Sequence, residues 1–523
     1  MLANVRDIGS VGVVSDVAAW DLPPNALTDG RNFRVAAGKV SASGGSELIS
    51  TEGSTGGEIG HIEQSTDFEG TSAWLVCHDS GIDSYEEKAF TNVYDSGNVS
   101  PDGWTSCQIG QVTFFNNPAI GPIYFTDWAG SDPVKELDWS PGQTWAEAGM
   151  SCRILQSHRN FLFALGCTEP DPDTGVLTYY EDRVRFSHPC EPNGVPYTWQ
   201  DATEDASSLA GYLTLGRGGA IVGAESLRDS FVIYSRGAIN VLDFTGGAFL
   251  WSRRTLSQNA GLISRDALVE VRGRHYYISQ EDIVVFDGNQ AESLLHNRLR
   301  KRFASTLNED ARSTAFATHH KTMHEIWFCV AEAGYDKPNM AYVFNYLDNS
   351  WSLRDLSTER VFAAALYGNQ PTDVLSWEEW AGKWEGERTT WASANRQPFD
   401  GALIGASGRN VYNIDTQNPE EEGLTTFIER QAMPVLGHED VTTVTRIFPQ
   451  VEGNTPVTIS VGSHQHAGGG STWKHAVEFD PRNARKVDVR TTGELHSYRF
   501  EGPSNGNFNI TGFDVEFQPA GAR

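Results

Sequence analysis

Leu227-Arg228-Asp229-Ser230-Phe231-Val232-Ile233-Tyr234 reads as a charged turn followed by a short β-prone run. Ile239-Asn240-Val241-Leu242-Asp243-Phe244, just after it, reads as a second strand ending in a turn. The same order recurs along the chain. Ser157-His158-Arg159-Asn160 precedes Phe161–Leu165, Arg272-Gly273-Arg274 precedes His275–Ile278, and His319-His320-Lys321-Thr322 leads to Glu325–Val330. Second strands of the same kind are Ile283–Gly288 and Asn410–Asp415. One small sheet has two apolar faces to bury, so units recurring every ~40–70 residues stack around an axis as the blades of a propeller. A chain of ordinary sandwich domains is the rival reading. The repeats follow one another without a low-complexity linker, which favours the propeller.

The pattern changes from about Leu424. Val441–Phe448, Val457–Gly462, Arg485–Arg490, Ser497–Glu501 and Phe513–Phe517 alternate apolar and polar residues, with turns between. Such alternation predicts an antiparallel β-sandwich. The expected fold is therefore all-β: an irregular β-propeller body over residues 51–423, a C-terminal antiparallel β-sandwich over 424–523, and an extended N-terminal segment, 1–50, joining the propeller. A short helical insertion is predicted near 293–303, where Leu295, Leu299 and Phe303 fall four apart and form one apolar stripe. A Trp-rich insertion, 369–399, carries Trp377, Trp380, Trp384 and Trp391 among glutamates and glycines, with neither a helix nor a strand period.

Composition narrows the function. The 523 residues include 52 Gly, 15 Trp, 16 Tyr and 26 Phe, a balance that favours strands over helix bundles. Acidic residues number 68 against 40 basic ones, leaving a net charge of −28. The excess is strongest in residues 61–150, where Lys88 and Lys135 are the only basic residues. A protein that grips DNA needs Lys and Arg for phosphates, so this balance argues against tight DNA binding. A conduit for DNA, by contrast, is served by an acidic wall that repels phosphates. Acidity also serves plain solubility. Arg298, Arg300, Lys301 and Arg302 stand out as a basic cluster in this acidic chain, and read either as a solvated face or as a contact with an acidic partner or DNA. No apolar run approaches the ~18 residues of a membrane-spanning helix, and Met1–Asp7 lacks a signal-peptide core. The expectation is a protein made in a cytoplasm.

Motifs for chemistry fail one after another. Leu215-Gly216-Arg217-Gly218-Gly219 is followed by no GK[ST], and no G-x-S-x-G elbow occurs. His320 and His324 flank no H-E-x-x-H order and lie in a strand-like run. His464, His466 and His475 surround a Gly-rich turn and read as a surface loop. Asp171–Gly175 lacks the glycine and the closing glutamate of a calcium loop, and reads as a plain turn. The six cysteines form no C-x-x-C pair and read as buried thiols. The expectation is no catalytic residue, no cofactor and no metal; the chain is not read as an enzyme.

Several of these segments, in this order, resemble the nozzle family of short-tailed bacteriophages (podoviruses), also called tail tubular protein B or packaged-DNA stabilisation protein. They are Gly12–Asp16 with Asp21–Arg34; Arg183–Ser187, Trp199 and Gly218–Gly223; Asp229–Tyr234, Gly273–His275 and Asp282–Gly288; Tyr342–Tyr346, Asn349–Ser352 and Arg354–Leu356; the Trp377–Trp391 stretch; and Pro519–Gly521. Residues 51–150 match the family least. The resemblance implies a structural virion protein of the tail, a homohexameric ring held below the tail adaptor (head-to-tail connector) ring and carrying fibre or needle proteins. Such a ring retains packaged genomic double-stranded DNA and passes it on ejection without sequence-specific binding. The alternative is a carbohydrate-binding or hydrolysing tail protein with a propeller fold.

Overall fold

The computed structural model describes all residues except 67–71, 87–88, 126–132, 172, 217, 248–249, 259, 358–359, 370–400, 417–423, 438–439, 475, 505 and 523. Among the described residues, strands form seven four-stranded antiparallel sheets, two six-stranded sheets and one two-stranded sheet, Asp138–Ser140 with Gln143–Thr144. Blade 1 comprises Ile59–Thr66, Ser72–His78, Gly81–Glu86 and Ala89–Asp95, and blade 2 Thr105–Ile109, Val112–Asn117, Gly121–Phe125 and Val134–Glu136. Blade 3 comprises Ser151–His158, Phe161–Pro170, Leu177–Phe186 and Gly211–Thr214, and blade 4 Ile221–Leu227, Ser230–Ser235, Ala238–Phe244 and Trp251–Gln258. Blade 5 runs through Leu268–Val271, Arg274–Ile278, Ile283–Phe286 and Ala291–Ser293, and blade 6 through Phe316–His320, Glu325–Val330, Met340–Asn345 and Ser350–Asp355. Blade 7 takes Ala364–Asn369, Gly401–Ser407 and Asn410–Thr416 from late in the chain, and its outer strand, Gly45–Leu48, from near the start.

Burial explains why the sheets stack. All six residues of Glu325–Val330 are buried, as a strand covered on both faces requires. Apolar side chains fill the gap between each pair of neighbours: Leu75, Cys77, Phe115 and Ile123 between blades 1 and 2, Phe114, Trp145, Cys152 and Trp199 between 2 and 3, and Phe163, Leu165, Phe231 and Ile233 between 3 and 4. Tyr234, Tyr277, Phe328 and Phe344 continue through blades 4 to 6, Trp327, Cys329, Leu403 and Ile414 join 6 to 7, and Trp74, Val76 and Ile404 join 7 back to 1. The ring is closed. The body is an all-β propeller, and all six cysteines are buried free thiols.

The sandwich differs from its sequence-based outline. One sheet orders Phe33–Ala36, Lys39–Ala42, Phe508–Ala522, Asp440–Gly453 and Val487–Gly493, with Leu2–Arg6 paired to Phe508–Ala522. The other orders Asp29–Arg31, Thr425–Pro434, Leu495–Pro503, Val457–His464 and Thr472–Trp473, with Val477–Phe479 also on Val457–His464. Strands between Leu2 and Ala42 thus build the sandwich rather than the propeller, which corrects the assignment of 1–50; only Gly45–Leu48 joins a blade. The pairing Leu2↔Glu516 links positions that local periodicity never compares.

The helix is also displaced. It spans Arg300–Thr306, not 293–303, because Asn297 adopts a left-handed φ of 57° that interrupts any helical run through it. The apolar stripe survives: Leu295, Leu299 and Phe303 are fully buried. The Trp-rich stretch from Trp377 to Trp391 lies outside the described residues, between the first two strands of blade 7.

Candidate functional site

The first strand of every blade lines the propeller axis, and there the sheets surround a cavity of about 240 Å³. Its polar groups come from four blades and one connecting turn: His61 and Glu63 of blade 1, Ser106 of blade 2, Gln156 of blade 3, Glu225 of blade 4, and the Arg265-Asp266 turn before blade 5. Blades 6 and 7 contribute only small or apolar residues such as Ala317 and Ala364. A second chamber of about 300 Å³ shares Arg265 and Asp266 and adds Arg153 and Lys337.

Hydrogen bonds tie this lining together. Ser106 Oγ donates to Glu63 Oε2 at 2.6 Å and lies 2.7 Å from His61 Nε2. A serine hydroxyl has one proton, so with that proton on Glu63 the imidazole N–H donates to the hydroxyl oxygen. The pair is then wired opposite to a serine nucleophile and its base. Gln156 donates to Glu225 at 3.1 Å, and Arg265 holds Asp266 through Nε at 3.1 Å and Nη2 at 3.1 Å. Burial pushes Glu225 up to about 7 and His61 down to about 4. Burial also raises Glu63; at Asp266 burial is the largest cause and acts upward too, but Arg265 and His61 together lower the carboxyl. What these groups build is a hydrogen-bonded polar lining around the axial cavity. Among the described residues no three His, Cys, Asp or Glu side chains gather as a metal set.

The basic cluster is largely used within the chain. Arg302 pairs with Asp29 at 2.7 Å, Arg300 lies 3.5 Å from Asp282, and Arg298 donates to the Asn349 carbonyl at 2.7 Å. The Lys301 backbone N–H is held by Asp16. Arg298, bonded to a carbonyl, and the Lys301 ammonium have no ion pair among the described residues. The segment clips the N-terminal strap, Ser15-Asp16, to the body.

The histidines divide. His464 sits buried in its strand, bonded to the Gly469 carbonyl and Ser497 Oγ at 2.7 Å each, so the reading of a surface loop is corrected there. His466 is exposed, and His475 lies outside the described residues. His320 lies 3.3 Å from Asp415 inside a buried ion cluster, while His324 instead faces Tyr346 Oη at 3.1 Å. Asp171 Oδ1 accepts from the Asp173 and Thr174 N–H groups, which makes that stretch a self-bonded Asp turn.

The ion cluster is a buried network that joins the sandwich to blades 6 and 7. Arg34 of the sandwich reaches Glu325 at 2.5 Å in blade 6 and Asp415 at 2.6 Å in blade 7. Arg354 bonds Asp415 at 2.9 Å and the Gly44 carbonyl, and stacks 4.4 Å from the Trp327 ring. Burial works against both ends, yet Asp415 and Glu325 hold Arg34 above its ordinary value, and Arg34 and Arg354 hold Asp415 well below its own. Sequence reasoning missed both this cluster and the axial lining. Locally each of their strand residues is one polar residue in a strand of mixed composition, which does not say what it faces.

The class these features define is a closed all-β propeller sharing its chain ends with a β-sandwich. No family model and no curated protein matches the chain. Among solved structures it is similar to the computationally designed Ika8 protein, at 11% identity and TM-score 0.37 over 71% of this chain and all of that one. It is also similar to YCF48 bound to D1 peptide (9%, 0.37, 76% of this chain and 100% of that one) and to BBS1N in complex with ARL6DN (9%, 0.35, 75% and 100%). The strand pairings, not these scores, carry the fold.

Proposed function

We propose that the chain is a ring subunit of a short-tailed phage tail nozzle, a structural protein that retains packaged DNA and forms the channel for its ejection. The observation that carries the reading is the ordered set of nozzle-like segments across nearly the whole sequence. Several of them fall on parts that hold this fold together. Gly12–Asp16 straps onto blade 6 and the helix, Arg34 and Arg354 belong to the buried ion cluster, and Asp229–Tyr234 and Asp282–Gly288 cover a tip and central strands of blades 4 and 5. The acidic balance of the chain suits a wall that lets a polyanion slide.

The propeller axis is not the conduit in this reading. A cavity of about 240 Å³ is far too small for a duplex whose major groove alone is about 12 Å wide. The lumen would lie between copies, which makes assembly essential to the function, as a homohexamer joined to the adaptor ring. Electron microscopy of the purified full-length chain, alone and with its adaptor, is the test. Six-fold rings with an open centre are expected; a monomer under both conditions would remove the proposal.

A further inference from the structure

The charges that line the axial cavity do not balance. Glu63, Glu225 and Asp266 stand there against a single guanidinium, Arg265, which is committed to Asp266. His61, held down at about 4, stays neutral at neutral pH. Arg153 and Lys337 line the second chamber and not this one, and Lys337 pairs with Glu58. Glu63 and Glu225 therefore have no ion pair among the described residues. Glu63 accepts from Ser106 Oγ at 2.6 Å and Gln108 Nε2 at 3.2 Å, and Glu225 from Gln156 Nε2 at 3.1 Å and the Ser226 N–H at 2.9 Å. All four donors are neutral.

The rest of the ring is unlike this part. Blades 6 and 7 supply Phe316, Ala317, Ala364 and Leu366 and no polar side chain. Each strand at the axis is also an end strand of its sheet, so backbone N–H and carbonyl groups on its free edge join the wall. The cavity of about 240 Å³ holds the space of about eight waters, or one small organic molecule of similar bulk. It thus combines a volume, an apolar side and two carboxylates that lack a counter-ion.

We infer that the axial cavity is a binding site for a small organic cation, an ammonium group carried on a compact apolar body. The ammonium lies toward Glu63 and Glu225, and the apolar part toward blades 6 and 7. A carboxylate withdrawn from water without a cation must take up a proton or gain a counter-ion. Burial raises both groups, Glu225 to about 7 with Glu270 and Glu63 adding to the rise, and a bound cation restores the ionised form. The alternatives fit less well. An anion meets two unmatched negative charges, and a neutral ligand leaves them unmatched. A metal ion needs several converging ligands, which do not gather among the described residues, and it gains nothing from the apolar side. The site belongs to a single chain, so the inference does not rest on the nozzle reading.

The test is isothermal titration calorimetry of the full-length protein at pH 8, where Glu225 is ionised, with benzylamine and butylamine as probes. Benzyl alcohol and butanol are their neutral counterparts. At least one amine should bind one-to-one with a Kd of about 1 mM or tighter, the range for a ligand of this size. Its alcohol should bind at least about tenfold more weakly, since it lacks the charge-assisted hydrogen bonds. The double variant Glu63→Gln/Glu225→Gln keeps the shape of the lining and removes both charges. It should lose at least about tenfold in amine affinity while unfolding at no lower temperature than the natural protein. Failure of both amines to bind at about 10 mM overturns the inference. Equal binding of amine and alcohol makes the cavity a plain apolar hole, and equal binding by the variant puts the amine elsewhere; either result overturns it too. So does calcium chloride that binds the natural protein, fails to bind the variant and excludes the amine, because the occupant is then a metal ion.

Discussion

Asp415 shows how one side chain joins three parts of the molecule. Its carboxylate accepts from Arg34 of the sandwich and Arg354 of blade 6, and it lies beside His320. Removing one partner of a buried ion cluster leaves the others uncompensated, at a cost of about 3–5 kcal/mol. Asp415→Asn should therefore lower the unfolding free energy by about that amount at pH 7, measured by urea denaturation. The sign with pH follows from its lowered pKa. Its stabilisation is complete above the ordinary carboxylate value and is lost only as pH falls through the lower folded value. Natural protein and variant should thus converge only in strong acid; a gap closing already near pH 6 would assign the stabilisation elsewhere. None of this was legible in the sequence. Arg34, Glu325, Arg354 and Asp415 each read as an ordinary strand or turn residue, and only the fold places them together.

At the scale of elements, the recurrence of charged turns and β-prone runs was enough to read a propeller, because a blade is local and its strands follow one another. Closure was not local. Gly45–Leu48 completes blade 7 from the other end of the chain, and Leu2–Arg6 finds its partner beyond residue 500. The N-terminal strap makes the same long-range contact testable. Gly12 has a φ of 80°, and a Cβ there would stand 2.2 Å from the Trp351 backbone nitrogen. Backbone on both sides leaves no flexible group to yield. Gly12→Ala should release the strap from blade 6, cost about 2 kcal/mol or more, and expose the segment before Leu22 to protease. Unchanged proteolysis and stability would show that the strap is not held there. The axial lining was equally hidden: Glu63, Gln156 and Glu225 sit in strands of mixed polar and apolar residues, and seven strands must be assembled before their polar side chains face one cavity.

For the whole molecule, the buried titratable groups set a pH dependence whose direction can be derived. His61, His275, His319 and His496 are all held down at about 4, burial being the leading cause in each. Between their ordinary value near 6.5 and about 4 the unfolded chain binds these protons and the folded one refuses them, so stability falls as pH falls. Glu225 acts the other way. Raised by burial to about 7, it favours the folded state when protonated, and that contribution is lost as pH rises through 7. Four histidines outweigh one glutamate, so the urea midpoint should drop between pH 6.5 and 4.5, before ordinary carboxylates titrate. Glu225→Gln separates the two effects, since it replaces the buried charge with a neutral amide. It should raise the midpoint at pH 8 and leave it nearly unchanged at pH 5. A midpoint that is flat or rising on acidification in the natural protein, or a Gln variant with equal gains at both pH values, would refute this account of the buried groups.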